Sequence, residues 1–242
     1  MGAVPRSQQA MIANAEPSSE DFRKLVAEKG FAIVSSVLEK IKCEELINLF
    51  GAVNGPGRRG ILGLPQIARL ACSKRLLDVV QPYLPAQPRP VRGIYFDKNP
   101  EANWLVAWHQ DLTLAVRNQF DVPGFGPWSV KECVPHVQPP VHLLEQMLTV
   151  RLHLDDCDEA NGALRVIPGS HCSGRLSPDA IERLRNEKPT TVCGAAAGDA
   201  LLMRPLLLHS SGRSKNANHR RVVHIEYASF DLPSGLQWHE TP

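Results

Sequence analysis

The spacing of apolar residues changes part-way along the chain. Up to the prolines near residue 88 they recur at helical spacing, and beyond Pro90 they fall in short β-branched runs cut by Gly, Pro, Asn and Asp. A small, polar stretch over residues 1–16 reads as a flexible N-terminal tail. Ser18 and Ser19 then precede Phe22, Leu25 and Val26 at helical spacing, with Gly30 as a stop. Phe31-Ala32-Ile33-Val34 reads as a strand. Ser36-Val37-Leu38-Glu39 has the form of a capping box, opening a helix with Leu38, Ile41, Leu46, Leu49, Phe50 and Val53 on one face. Asn54 to Gly63 reads as an exposed Gly- and Arg-rich loop, Arg58 and Arg59 included. Pro65 opens another helical stretch that Pro82 and Pro85 end.

Strands are then expected over Val91 to Phe96, Leu105 to Leu114, Leu148 to Leu154, Ala163 to Ile167, Thr190 to Cys193, Ala200 to Leu208 and Arg221 to Ala228. Many short strands with such punctuation predict a sandwich or barrel. One helix interrupts them, capped by Ser177 with Pro178 in its first turn and Ile181 and Leu184 facing in. The segment 116–142 has little periodicity and a length typical of a lid or active-site loop. With no repeat and no linker, residues 17–242 read as one domain: helices packed on a β-rich core.

Bulk composition narrows the class without choosing within it. Hydrophobic residues make up 43% of the chain and charged ones 21%, and the formal net charge is +2. The charges are interspersed, so no nucleic-acid footprint or polybasic membrane patch is expected. No apolar run is long enough to span a bilayer, and the N-terminus lacks the apolar core of a secretory signal. The six cysteines have no paired short spacing and read as free thiols in a reducing compartment. The expected location is the cytoplasm.

Candidate chemistry sits in Trp104-Leu105-Val106-Ala107-Trp108-His109-Gln110-Asp111. On a strand, His109 and Asp111 would share one face and Gln110 would take the other. A partner for them is His209, after the apolar run Leu206-Leu207-Leu208. Each histidine alone is cheaply explained as a hydrogen-bonded core residue. Together, two imidazoles and a carboxylate make the facial triad that leaves positions open on a non-haem iron. By alternation Arg220, Val222, His224 and Glu226 share one face of the last strand. Arg220 would there need a carboxylate partner, and a bound carboxylate ligand answers that need.

Phe96-Asp97-Lys98-Asn99-Pro100, Trp108-His109-Gln110-Asp111, the run from Asn161-Gly162 to Pro168-Gly169-Ser170-His171, and His209-Ser210-Ser211 with Arg220 resemble the phytanoyl-CoA dioxygenase family. This is a branch of the Fe(II)- and 2-oxoglutarate-dependent oxygenases, and the resemblance covers most of the chain. It implies a mainly β fold, a double-stranded β-helix (jelly-roll, cupin-like) core with helices packed on one sheet. His109, Asp111 and His209 match the family's iron ligands. Arg220 matches the arginine that clamps the distal carboxylate of 2-oxoglutarate, a bidentate task suited to guanidinium, with the Ser211 hydroxyl assisting. The implied reaction consumes dioxygen and 2-oxoglutarate, hydroxylates a small-molecule metabolite and releases succinate and CO2. In related halogenases a small residue replaces the carboxylate, so the intact Asp111 favours hydroxylation.

Tyr95, Trp104, Trp108, Arg151, His153 and Asn161 are candidates for the substrate or co-substrate pocket, with core packing and turn chemistry as the plainer roles. Two other classes compete: a catalytically silent jelly-roll protein that binds metal or 2-oxoglutarate, and a zinc hydrolase on a similar barrel. Succinate release would separate the first, and metal analysis the second.

Overall fold

The computed structural model describes residues 19–53, 55–216, 218–233 and 235–242. The expected tail over 1–16 lies outside them. The chain begins with α1 (Ser19–Lys29), β1 (Phe31–Val34), α2 (Lys40–Phe50), β2 (Gly57–Arg59), α3 (Pro65–Ala71) and α4 (Lys74–Val80). Next come β3 (Arg89–Lys98), β4 (Val106–His109), β5 (Leu114–Ala115), β6 (Trp128–Lys131), β7 (Val134–Val137), α5 (Val141–Leu144) and β8 (Met147–His153). The last part holds β9 (Leu164–Val166), α6 (Pro178–Glu187), β10 (Thr191–Cys193), β11 (Ala200–Met203), β12 (His209–Ser211) and β13 (Arg220–Ala228).

Antiparallel pairing sorts the strands into a six-stranded sheet, β1-β11-β8-β13-β3-β2, and a four-stranded sheet, β10-β9-β12-β4. Neighbours in each sheet are far apart in sequence, the mark of a double-stranded β-helix. The helices cover the outer face of the larger sheet. Val150, Leu152, Val223, Ile225 and Tyr227 form one buried cluster there with Leu46, Ile67 and Leu76 from the helices. Gly93 allows close packing on this face: a Cβ on it would lie 2.6 Å from Ile61 Cγ1.

Several expected elements take other forms. Ser36 does not cap a helix: its φ is 55°, and its N–H donates to Asp199 Oδ1. The helix starts later, after Glu39, whose side chain makes no capping bond. Ile41, expected on its inner face, is exposed. The loop expected at 54–63 instead pairs as β2 with β3, and Ile61 and Leu62 after it are buried; Asn54 lies outside the described residues. Segment 116–142 is not structureless, because β6 and β7 pair within it and join β5 in a third sheet.

Two expected strands stop early, and both interruptions fall at the site. The strand expected over Leu105 to Leu114 breaks after His109: β4 runs from Val106 to His109, and strand resumes only at Leu114 in β5. The Asp111 N–H then leaves the sheet and donates to Pro205 O. Ala200 to Leu208 is strand only to Met203, so His209 opens the separate strand β12.

Candidate metal centre

His109 and His209 face each other across paired strands, in direct register between β4 and β12. Their ring centroids are 4.2 Å apart. Asp111 reaches them from the irregular segment after β4, so the convergence does not come from alternation along one strand. His109 Nε2 lies 3.7 Å from Asp111 Oδ1, and His209 Nε2 lies 3.7 Å from Asp111 Oδ2. One donor atom from each of the three falls within a 4.8 Å cluster.

The supporting hydrogen bonds set the chemistry of these donors. His109 Nδ1 donates to Ala107 O at 2.9 Å and His209 Nδ1 donates to Leu207 O at 2.8 Å. That tautomer leaves both Nε2 lone pairs aimed at the centre. Burial lowers the His209 pKa to about 4, so this imidazole is neutral at pH 7. Burial alone would raise the Asp111 carboxyl, but His209 and then His109 hold it down at about 2. A neutral His209 imidazole beside an ionised Asp111 carboxylate is the state that a divalent cation requires of these two groups.

Neighbouring segments hold His209 and Gln110 in place. The run Pro168-Gly169-Ser170-His171 acts on His209 through Ser170, whose Oγ accepts the Leu208 N–H at 2.9 Å. Gln110 is a staple: its Nε2 donates to Gly174 O and Leu206 O, and its Oε1 accepts the Leu176 N–H.

A cavity of about 490 Å3 opens beside the triad between the two sheets. Its deeper wall comes from the inner face of β13, β8 and β3. Arg220 is buried there, with Nε and Nη1 lacking any partner, and the Cys157 thiol lies beside the guanidinium. Arg151 Nη1 donates to His224 Nδ1 at 2.9 Å, and its Nε also lacks a partner. Ser211 lines the same wall; its Oγ donates to Gly162 O and accepts from Lys98 Nζ at 2.8 Å.

Lys98 stood in a matching motif but drew no role from sequence. It is fully buried, lies 5.1 Å from the centroid of the Trp104 ring, and its ammonium is pulled down to about 7 by burial and by Arg220. Also unassigned was the chain of polar contacts from His224 Nε2 to Glu226 Oε1 (3.3 Å) and from Glu226 to Arg92 Nη1 (3.0 Å). The alternation that placed His224 and Glu226 beside Arg220 was the available signal. The same alternation runs along β3, where Arg92, Ile94 and Phe96 line the cavity and Lys98 follows in the same register.

The pocket candidates divide. Trp104 and Arg151 line the cavity with His109, Asp111, His209, Ser211 and Arg220. Tyr95 does not; it is wholly buried in the outer core, stacked on Phe50 with ring centroids 3.9 Å apart. Trp108, alternating with His109, is half-buried outside the cavity lining. His153 lies on β8 two positions from Arg151, buried, with both ring nitrogens unpartnered, and outside the lining. Asn161 closes a turn instead, its Oδ1 accepting the Asp158 N–H and its Nδ2 donating to Asp156 O. Arg59, expected on a solvated turn, reaches the cavity lining.

A jelly roll that sets two histidines and an aspartate beside a cavity with a buried, unpaired arginine defines the class of Fe(II)/2-oxoglutarate oxygenases. Within it, residues 65–222 match the model of the phytanoyl-CoA dioxygenase (PhyH) family, and the chain belongs to that family. The peroxisomal phytanoyl-CoA dioxygenase of Rattus norvegicus is 28% identical over 92 residues, which cover 32% of this chain and only 27% of the rat protein. The fold is shared with the non-heme alpha-ketoglutarate-dependent carbocyclase SnoK from nogalamycin biosynthesis, with a TM-score of 0.66, 16% identity, and 89% of this chain and 86% of that one covered. It is likewise shared with HygX from Streptomyces hygroscopicus, solved with nickel and 2-oxoglutarate bound, at a TM-score of 0.63, 18% identity, and 88% and 87% coverage.

Proposed function

We propose that the protein is an Fe(II)- and 2-oxoglutarate-dependent dioxygenase that hydroxylates a small-molecule metabolite. The observation that carries this reading is the pairing of the triad with an unsatisfied cationic wall in one cavity. His109 Nε2, His209 Nε2 and an Asp111 oxygen would hold the metal. The wall then asks for an anion: Arg220 and Arg151 are buried in it with guanidinium nitrogens unpartnered, while nearby Asp97 is already engaged by His219 Nδ1 at 2.8 Å. Donors buried without partners cost about 1–3 kcal/mol each, a cost that a bound carboxylate removes. The distal carboxylate of 2-oxoglutarate fits that role, held by Arg220 with Ser211 beside it.

When bound, the iron and its co-substrate supply the oxidation: dioxygen and 2-oxoglutarate are consumed, succinate and CO2 leave, and one oxygen atom goes to the substrate. The chain's own residues present a fixed ligand face, orient the co-substrate through Arg220, and keep the wall of the cavity dry. Residues 17–242 would act as one oxygenase domain, with the 116–142 segment as its lid; the β6–β7 hairpin gives that lid a frame. Six unpaired thiols support a reducing compartment such as the cytoplasm. Among the described residues no helix is long and apolar enough to cross a membrane.

Anaerobic titration with Fe(II) and 2-oxoglutarate tests the reading. A weak metal-to-ligand charge-transfer band is expected in wild type and its loss in His209→Ala. A wild-type protein without the band overturns the assignment. Succinate formed in step with substrate oxidation distinguishes turnover from silent binding.

A further inference from the structure

Away from the triad and the Arg220 wall, the cavity gathers three more cations from three strands: Arg59 on β2, Arg92 on β3 and Lys131 on β6. Their partners are unequal. Arg92 is matched by buried Glu226 at 3.0 Å, and Arg59 by Glu132 at 2.9 Å. Lys131 has no carboxylate partner among the described residues; its Nζ reaches the Thr113 hydroxyl at 3.3 Å. Burial draws the Lys131 ammonium down, and the fields of Arg92 and Arg59 draw it further. The same three cations, after burial, also depress His136. The cluster therefore occupies one small region, where like charges repel unless an anion lies between them.

Thr113 lies two residues beyond Asp111, so Lys131 is tethered beside the segment that carries a metal ligand. Lys131 and Glu132 also belong to the β6–β7 hairpin, whereas Arg92 belongs to the main sheet. An anion held by all three cations would therefore bridge the hairpin to the body of the fold.

We propose that this arc binds the anionic group of the substrate, a carboxylate or phosphate on a small organic molecule. Lys131 supplies the unmatched charge, and Arg59 is a second donor that can leave its exposed partner. The proposal rests on the oxygenase reading of the same cavity and adds the class of molecule oxidised. The anionic end lies at the arc and the reacting carbon faces His109, Asp111 and His209.

The test is calorimetric titration of the protein, saturated with Fe(II) and 2-oxoglutarate without oxygen, by four matched probes: hexanoate, hexyl phosphate, hexylamine and hexanol. At least one anion is expected to bind tenfold or more tightly than the amine and the alcohol, and the stronger of the two identifies the group. In Lys131→Gln combined with Arg59→Gln, that preference falls below threefold while 2-oxoglutarate affinity stays. Lys131→Glu shifts the preference toward hexylamine. The proposal is overturned if neither anion outbinds hexanol, or if the double variant keeps the preference. Should wild type fail to bind 2-oxoglutarate, the oxygenase reading falls, and the same titrations on metal-free protein still decide whether the arc is an anion site.

Discussion

The two faces of the six-stranded sheet share the same strands and differ in almost every side chain. On β13, Val223, Ile225 and Tyr227 point outward into the helix-covered core, where Tyr227 Oη donates to Ala71 O at 2.9 Å. One residue along, Arg220, His224 and Glu226 point inward to the cavity. On β8, Val150 and Leu152 alternate with Thr149, Arg151 and His153 in the same way. The outer face buries apolar surface, with the Tyr95 hydroxyl its unpaired exception. The inner face leaves Thr149 Oγ1, Arg151 Nε, both His153 nitrogens and two Arg220 nitrogens without partners. A strand period of two thus lets one segment stabilise the fold and keep a destabilised, ligand-ready surface a peptide unit away.

Substitutions on each face should separate the two roles. The largest effect is expected for Asp111→Ala, which removes a proposed metal ligand from the cavity that the inner face lines; Fe(II) affinity should fall by more than about 100-fold, read by anaerobic titration with folding intact. Arg220→Met should weaken 2-oxoglutarate binding by about 2–5 kcal/mol and leave the denaturation midpoint unchanged or raised, because it removes an unpaired buried charge. A lowered midpoint with normal 2-oxoglutarate affinity would reverse the comparison. Ile225→Ala, on the outer face, should do the opposite and cost about 2–5 kcal/mol of stability, with metal affinity per folded molecule retained.

His153 gives a pH signature of the inner face. Burial, then Arg151 and Arg220, depress its folded pKa to about 3, against about 6.5 in the unfolded chain. Between those values the unfolded chain takes up a proton that the native state refuses. This stability is present in full above about pH 6.5 and is lost as pH falls, by about 1.4 kcal/mol per unit. His153→Leu should flatten the slope of unfolding free energy between pH 6 and 4 by one proton; an unchanged slope places the depressed titration elsewhere. The smallest effect belongs to neither face: Lys74→Ala removes an exposed pair with Asp78 and should change stability by less than about 0.5 kcal/mol.

What the sequence made legible follows the same division. The strands rich in β-branched residues were readable because both faces of β8 and β13 are buried, and so were the triad residues, whose chemistry is unusual for a core. The interruptions were not. Nothing local in Gln110 or Arg204 says that the backbone leaves the sheet there; Asp111 N–H turns to Pro205 O across 94 residues of sequence, a tertiary event. The Ser36 cap failed for a like reason, since its N–H is taken by Asp199, 163 residues away. The β6–β7 hairpin has no clear signal in the sequence because its strands are four residues long, β6 is largely exposed and β7 carries a proline. Lys98, buried without a carboxylate, broke the usual rule for lysine, and only the surrounding fold gives it acceptors.

Gln110 carries a consequence for how the protein acquires its metal. Its amide joins the β4 end to two other stretches of backbone, and each histidine is oriented by the carbonyl two residues before it. The ligand set is therefore organised by folding itself, unlike that of small metallodomains that collapse only around their ion. Chelation should strip the metal from a chain that stays folded, and reloading should be limited by encounter with the ion and not by refolding. The added stability should then rise smoothly with free metal concentration, as for any ligand entering a finished site.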